Sequence, residues 1–133
     1  MQMKKMFCRA VVAALCSTAA LSVAADFDGS KALICATLEA HDCDAGDTCQ
    51  RGLPETVGAP QFLRIDFAKK QILGPQRSTP IRLFDGGKEQ VLIQGTEMGF
   101  GWTMALDSTS GKLNATLVNR DGVFVVFGTC TPL

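Results

Sequence analysis

Phe62-Leu63-Arg64-Ile65-Asp66-Phe67 decides the fold class. In an extended chain Leu63, Ile65 and Phe67 point one way, while Arg64 and Asp66 point the other. That period of two marks a strand with one face buried and one face in water. After it, Ala68 to Gln71 forms a polar turn, and Ile72-Leu73 begins a short return strand that Gly74-Pro75 ends. Before it, Gln50 to Gln61 holds Gly52, Pro54, Gly58 and Pro60 and reads as a loop.

Downstream the same alternation recurs. Ile81 to Phe84 and Gln90 to Gln94 flank Asp85-Gly86-Gly87-Lys88, a hairpin around a glycine turn. Trp102, Met104 and Leu106 alternate with Thr103, Ala105 and Asp107, and Ser108-Thr109-Ser110-Gly111 is the turn that follows. Leu113, Ala115 and Leu117 then alternate with Asn114 and Thr116, and Asn119-Arg120-Asp121-Gly122 signals another hairpin. Val123 to Phe127 is apolar on both faces, so this last strand is expected to be central and covered on each side. Lys31 to Ala40 has helix-forming residues with Ser30 as a cap, but Leu33, Ile34, Cys35 and Thr37 suit a strand, which is the reading taken. The expected fold is mainly β, a small antiparallel barrel or sandwich of about seven or eight short strands.

The N-terminal 25 residues stand apart from this domain. Lys4, Lys5 and Arg9 lead an apolar run from Ala10 through Ala20, and Val23-Ala24-Ala25 supplies small residues before Asp26. These are the three parts of a cleavable export signal. The run is too short and too alanine-rich for a membrane anchor, which needs about 20 strongly apolar residues. Leu15 before Cys16 fills a position that a lipid-attachment motif keeps small. Residues 26–133 are therefore expected to work in the periplasm or outside the cell as one β domain. The whole chain carries 13 basic and 13 acidic residues; without Lys4, Lys5 and Arg9 the remainder has a net charge of −3. No basic run exceeds Lys69-Lys70, which argues against nucleic acid or an anionic membrane as a partner.

Four cysteines follow the leader: Cys35, Cys43, Cys49 and Cys130. An even number in an exported chain reads as two disulfides, although four cysteines allow three pairings. Cys43 and Cys49 bracket Asp44-Ala45-Gly46-Asp47-Thr48, a segment able to turn back on itself, so Cys43–Cys49 is favoured as a local staple. Cys35–Cys130 is then a tie between first and last strands that would close a barrel. In the loop-entropy picture the short bridge contributes about 2.4 kcal/mol and the long one about 4.7 kcal/mol. The cysteine spacing with the single His41 matches no common zinc pattern, and Asp42, Asp44 and Asp47 lack the longer ligand series of a calcium loop. No metal or cofactor is expected.

Gly95-Thr96-Glu97-Met98-Gly99-Phe100-Gly101-Trp102 is rich in glycine but leads into a strand, whereas a phosphate loop leads into a helix. Trp102 reads first as core; Phe100 and Trp102 as an exposed aromatic binding edge, with Asp44 and Asp47 on the disulfide loop, are the candidate binding residues. With one histidine, oxidised cysteines and no serine in a nucleophile turn, no catalytic residue is named. The Cys-Asp-Ala-Gly-Asp-Thr-Cys loop, Pro60 to Phe67, Gly101-Trp102 and Phe127 to Pro132 resemble small exported, periplasmic proteins of Gram-negative bacteria that carry no assigned activity. That resemblance implies location and adds no chemistry. More distantly, periplasmic lysozyme inhibitors of the C-type family are also small disulfide-bearing barrels, but this chain has no tyrosine and no sign of their inhibitory loop.

The first functional expectation is a non-catalytic, protein-binding or inhibitor-like module for an envelope or extracellular partner. It would have a filled interior and present the Cys43 to Pro60 loop. The alternative is a small-ligand carrier with a cavity lined by Leu63, Ile65, Trp102, Met104 and Phe127. A hydrolase ranks third.

Overall fold

The structure is a computed structural model that describes residues 26–133; the expected leader, with Cys8 and Cys16, lies outside the described residues. Ten strands follow one another: β1 (Leu33–Cys43), β2 (Gln50–Gly52), β3 (Phe62–Asp66), β4 (Gln71–Leu73), β5 (Ser78–Pro80), β6 (Leu83–Gly86), β7 (Gln90–Glu97), β8 (Phe100–Asp107), β9 (Lys112–Val118) and β10 (Val123–Pro132). A 3-10 turn, Pro54–Val57, lies between β2 and β3. Among the described residues no helix is long and apolar enough to cross a membrane.

Nine strands form one antiparallel path in the order β5-β4-β3-β1-β10-β9-β8-β7-β6, and β2 pairs with the second half of β1. The sheet curls into a half-barrel, which replaces the sandwich option and raises the expected seven or eight strands to ten. The extra strands are β2 and β5, three residues each, whose sequences carry no apolar alternation. Part of the Gln50–Gln61 loop thus becomes the strand β2 and the 3-10 turn.

Cys35 pairs with Cys130 in the β1–β10 ladder and is bonded to it, and Cys43 is bonded to Cys49. The long bridge therefore does not close a seam between distant strands, as the barrel expectation had it. It staples two strands that already share hydrogen bonds. The free edges of the path are β5 and β6, in the middle of the chain. Ile81 and Arg82 link the two edges through the chain and extend each edge's own pairing: Ile81 N–H donates to Lys70 O beside β4 and Arg82 N–H to Gln94 O of β7, both at 2.8 Å.

Register shifts in β1 between Thr37 and Glu39, a bulge that reverses the parity of the strand. Leu33, Cys35 and Thr37 are buried before it and Ala40 after it, while Leu38 is thrown outward at 62% exposure. The bulge brings Ala36 O against β10, where a Cβ on Gly128 would sit only 2.5 Å away. Position 128 therefore has to be glycine.

Leu33, Ile65, Ile93 and Leu113 are essentially sealed from water inside the curl, each worth about 1.5–3 kcal/mol of burial. They form the larger core cluster with Ile72, Val91, Trp102, Leu106 and the Cys35–Cys130 bridge. Ala40, Ala115 and Val126 form a smaller cluster towards the other end. β10 is central, between β1 and β9, but it is not covered on both sides. Phe127 is 39% exposed on its outer face, where its ring meets His41 edge-on with centroids 5.8 Å apart.

Candidate functional site

The interior of the curl is not filled. A cavity of about 320 Å³ lies among side chains from β1, β3, β4, β5, β7, β8, β9 and β10. Strand alternation puts Leu63 of β3, Ile72 of β4, Trp102 and Met104 of β8, and Leu113, Ala115 and Leu117 of β9 on its wall. Two residue choices leave the space open: Ala115 carries a single methyl group where its strand neighbours carry leucine, and Thr37, next in the inward alternation of Leu33 and Cys35, is smaller than leucine.

The mouth is polar and charged. Gly58, Ala59 and Pro60 form one lip after the 3-10 turn, held by Ala59 N–H donating to Pro54 O at 3.0 Å and Thr37 N–H donating to Gln61 O at 2.9 Å. Gly74 to Arg77 forms another, closed by Gly74 N–H donating to Arg77 O at 2.8 Å. Arg77 pairs with Glu97, Nε to Oε1 at 3.1 Å, and also reaches the sulfur of Met98 at the tip of the β7–β8 hairpin. Glu55 completes the charged rim. With two carboxylates and one guanidinium, the rim is weakly negative.

Inside, the polar groups are few and mostly engaged. Thr37 Oγ1 donates to Pro60 O at 2.7 Å, and Thr79 Oγ1 donates to Thr96 O at 3.4 Å. Trp102 is buried, 5% exposed, as the core reading expected, and it is also part of the cavity wall. It does not form an exposed aromatic edge with Phe100. Phe100 is half-buried, with its ring beside Phe124 at 5.9 Å between centroids. Asp44 and Asp47 are exposed on the Cys43–Cys49 loop and do not line the cavity. Among the described residues no three His, Cys, Asp or Glu side chains come together to hold a metal ion.

Of the five residues expected around a carrier cavity, Leu63, Trp102 and Met104 line it. Ile65 is sealed in the core below it, and Phe127 points outward because the pairing with β1 sets Val126, not Phe127, inside. Sequence reading missed Ala115, Thr37 and the Arg77–Glu97 pair at the mouth. Ala115 was visible as the small member of an apolar alternation, and Thr37 as the next member of the alternation of Leu33 and Cys35; the Arg77–Glu97 pair depends on loop closure.

A different cluster occupies the outer face of β1. Glu39 accepts from His41 Nε2 at 2.7 Å and pairs with Arg51 of β2. The hydrogen bond from His41, then the Arg51 guanidinium, holds the Glu39 carboxyl below its ordinary value. This group on the outer face, half-buried at Glu39 and His41, ties β2 to β1. No protein family, curated protein or solved structure is detectably similar to this chain.

Proposed function

We propose that this protein is an exported, periplasmic carrier that takes a small, largely apolar ligand into the hollow of its curled sheet. The observation that carries the reading is the cavity of about 320 Å³ lined by Leu63, Ile72, Trp102, Met104, Leu113 and Leu117. A β-barrel of this size ordinarily fills its interior with its own side chains, and volumes from roughly 300 Å³ upward are those of ligand pockets. The two disulfides, Cys35–Cys130 and Cys43–Cys49, suit an oxidising compartment. The net negative charge of residues 26–133 gives nucleic acid nothing to hold.

Native and denaturing mass spectrometry of the protein purified after export tests this directly. The expected denatured mass is that of residues 26–133 less four hydrogens, and the expected native mass includes an adduct that denaturation releases. A native mass equal to the bare chain, unchanged after incubation with medium-chain hydrocarbons and ketones, rules the carrier out.

A second reading, docking to an envelope or extracellular protein through the Cys43 to Pro60 loop, draws on Leu53, which is 65% exposed in that loop. One leucine is a small patch, so this reading ranks below the carrier. It gains if the bare native mass is found and Leu53→Asp abolishes capture of a defined partner.

A further inference from the structure

β3 and β4 run from the lips of the cavity, at Pro60 and Gly74, to a turn at the opposite end, where Lys70 N–H donates to Phe67 O at 3.2 Å. A second cleft, of about 400 Å³, opens beside this turn. It lies between Gly29 and Ser30 ahead of β1, Phe67 and Lys70 of the turn, and Arg82 and Phe84 around the start of β6, and it shares no residue with the cavity. The Phe84 ring is gripped: Phe67 meets it edge-on with centroids 5.8 Å apart, and a Cβ on Gly29 would lie 2.8 Å from its Cε2 and Cζ. Yet Phe84 is 49% exposed, so a fixed apolar surface stands open to the solvent.

Both charged residues of the cleft are basic. Arg51, Arg64, Arg77 and Arg120 each pair with a carboxylate, whereas among the described residues Lys70 and Arg82 have no carboxylate partner. Asp28, which accepts from Ser30 N–H at 2.8 Å, does not line the cleft. The chain brings the two cations together, since Lys70 O accepts from Ile81 N–H and Arg82 follows directly. Lys70 has a φ of 52°, in the left-handed region that favours glycine, so its backbone carries strain that glycine would relieve. We propose that this cleft is a second binding site, for a small aromatic anion whose phosphate or carboxylate meets Lys70 and Arg82 while its ring packs on Phe84. Ammonium and guanidinium groups are donors only, so their counterpart is an acceptor carrying negative charge. A neutral ring would leave both cations unmatched, and a bare ion would leave Phe84 uncovered. The site stands apart from the carrier reading and does not rest on it.

Titration of the oxidised protein, purified after export, with phenyl phosphate, benzoate, benzyl alcohol and inorganic phosphate tests the site. In proton–nitrogen correlation spectra the two aromatic anions are expected to move the backbone signals of Lys70, Ile81, Arg82 and Phe84 with saturation, and to bind more tightly than benzyl alcohol or inorganic phosphate. Lys70→Gln and Arg82→Gln should each weaken phenyl phosphate by about three- to tenfold. Lys69→Gln, which removes the same charge from an exposed neighbour that does not line the cleft, should change it less than about twofold. If a variant does not fold, the four ligands on the unaltered protein still decide. Benzyl alcohol binding as tightly as phenyl phosphate overturns the role of the cations, and inorganic phosphate doing so overturns the role of Phe84. An equal loss in Lys69→Gln assigns the binding to diffuse charge and overturns the site. Binding by neither aromatic anion also overturns it, and leaves the carrier to its own test.

Discussion

Gly95 stands opposite Trp102 in the β7–β8 ladder, and the indole occupies the space that a side chain at 95 would need. A Cβ there would lie 2.2 Å from Cζ2 and 2.7 Å from Cε2 of the ring, and 2.8 Å from Pro80 O behind it. The ring is therefore fixed between the backbone of β7 and the cavity. The backbone carbonyl cannot swing away as a flexible side chain would.

Gly95→Ala is expected to push the indole into the cavity and to destabilise the fold by about 1–3 kcal/mol, the usual cost of overpacking. Gly101→Ala on the same hairpin is the control, because the nearest atom to a Cβ there is Val118 Cγ1 at 3.8 Å. Urea denaturation followed by tryptophan emission measures both. Equal stability of the two variants would mean that the ring has room to move.

Filling the cavity should separate binding from folding. Ala115 is buried in the wall at the narrow part of the apolar alternation on β9. Ala115→Leu is expected to change stability by less than about 3 kcal/mol, since added methylenes enter empty space rather than a packed core. Binding of isopropylcyclohexane should fall below detection. Retained binding in a folded Ala115→Leu protein would place the ligand elsewhere.

The two disulfides are expected to differ in weight. Replacing Cys35 and Cys130 by serine releases a 95-residue separation, and replacing Cys43 and Cys49 releases one of six. The loop-entropy picture gives losses of about 4.7 and 2.4 kcal/mol. Because Cys35 and Cys130 sit in the core cluster, the first pair also loses packing. Thermal melts of both double variants, and of the unaltered protein with dithiothreitol, test the order. A melting temperature indifferent to reduction would contradict the stapling role.

Asp107 gives a pH signature. Its carboxylate accepts from Ser110 N–H at 2.7 Å and Thr109 N–H at 2.9 Å, closing the turn between β8 and β9. The backbone hydrogen bonds from Ser110, then Thr109, lower its pKa below the ordinary value. A depressed folded-state pKa means that the stability it contributes is present above the unfolded-state value of about 3.9 and is lost as pH falls through the folded one. Asp107→Ala should therefore be less stable than the unaltered protein near neutrality, and the gap should close in acid below that range. A gap that stays constant into strong acid would assign the loss to something other than the carboxylate.

Much of the sheet was legible because alternation reports burial directly. Leu63 and Ile65 go in and Arg64 goes out, as their spacing dictates, and Trp102 and Leu106 follow the same rule. β5 was not legible because Ser78-Thr79-Pro80 has no apolar member to alternate; it is held by hydrogen bonds to β4. β10 misled because a doubly apolar strand looks doubly covered, whereas the curl protects only its inner face and leaves Phe127 against His41. The cavity was legible in three of its wall residues and not as a void. Its volume depends on the small side chains of Thr37 and Ala115, which alternation marks as inward without saying what lies opposite.

Emission of Trp102, the one tryptophan of the chain, is the most direct test that the hollow of the sheet binds an apolar ligand. Titration of the oxidised protein with isopropylcyclohexane should change the emission with a saturable, one-to-one dependence, and the Ala115→Leu protein should show no such change. An emission spectrum that stays constant, or drifts without saturation in both proteins alike, would contradict the carrier.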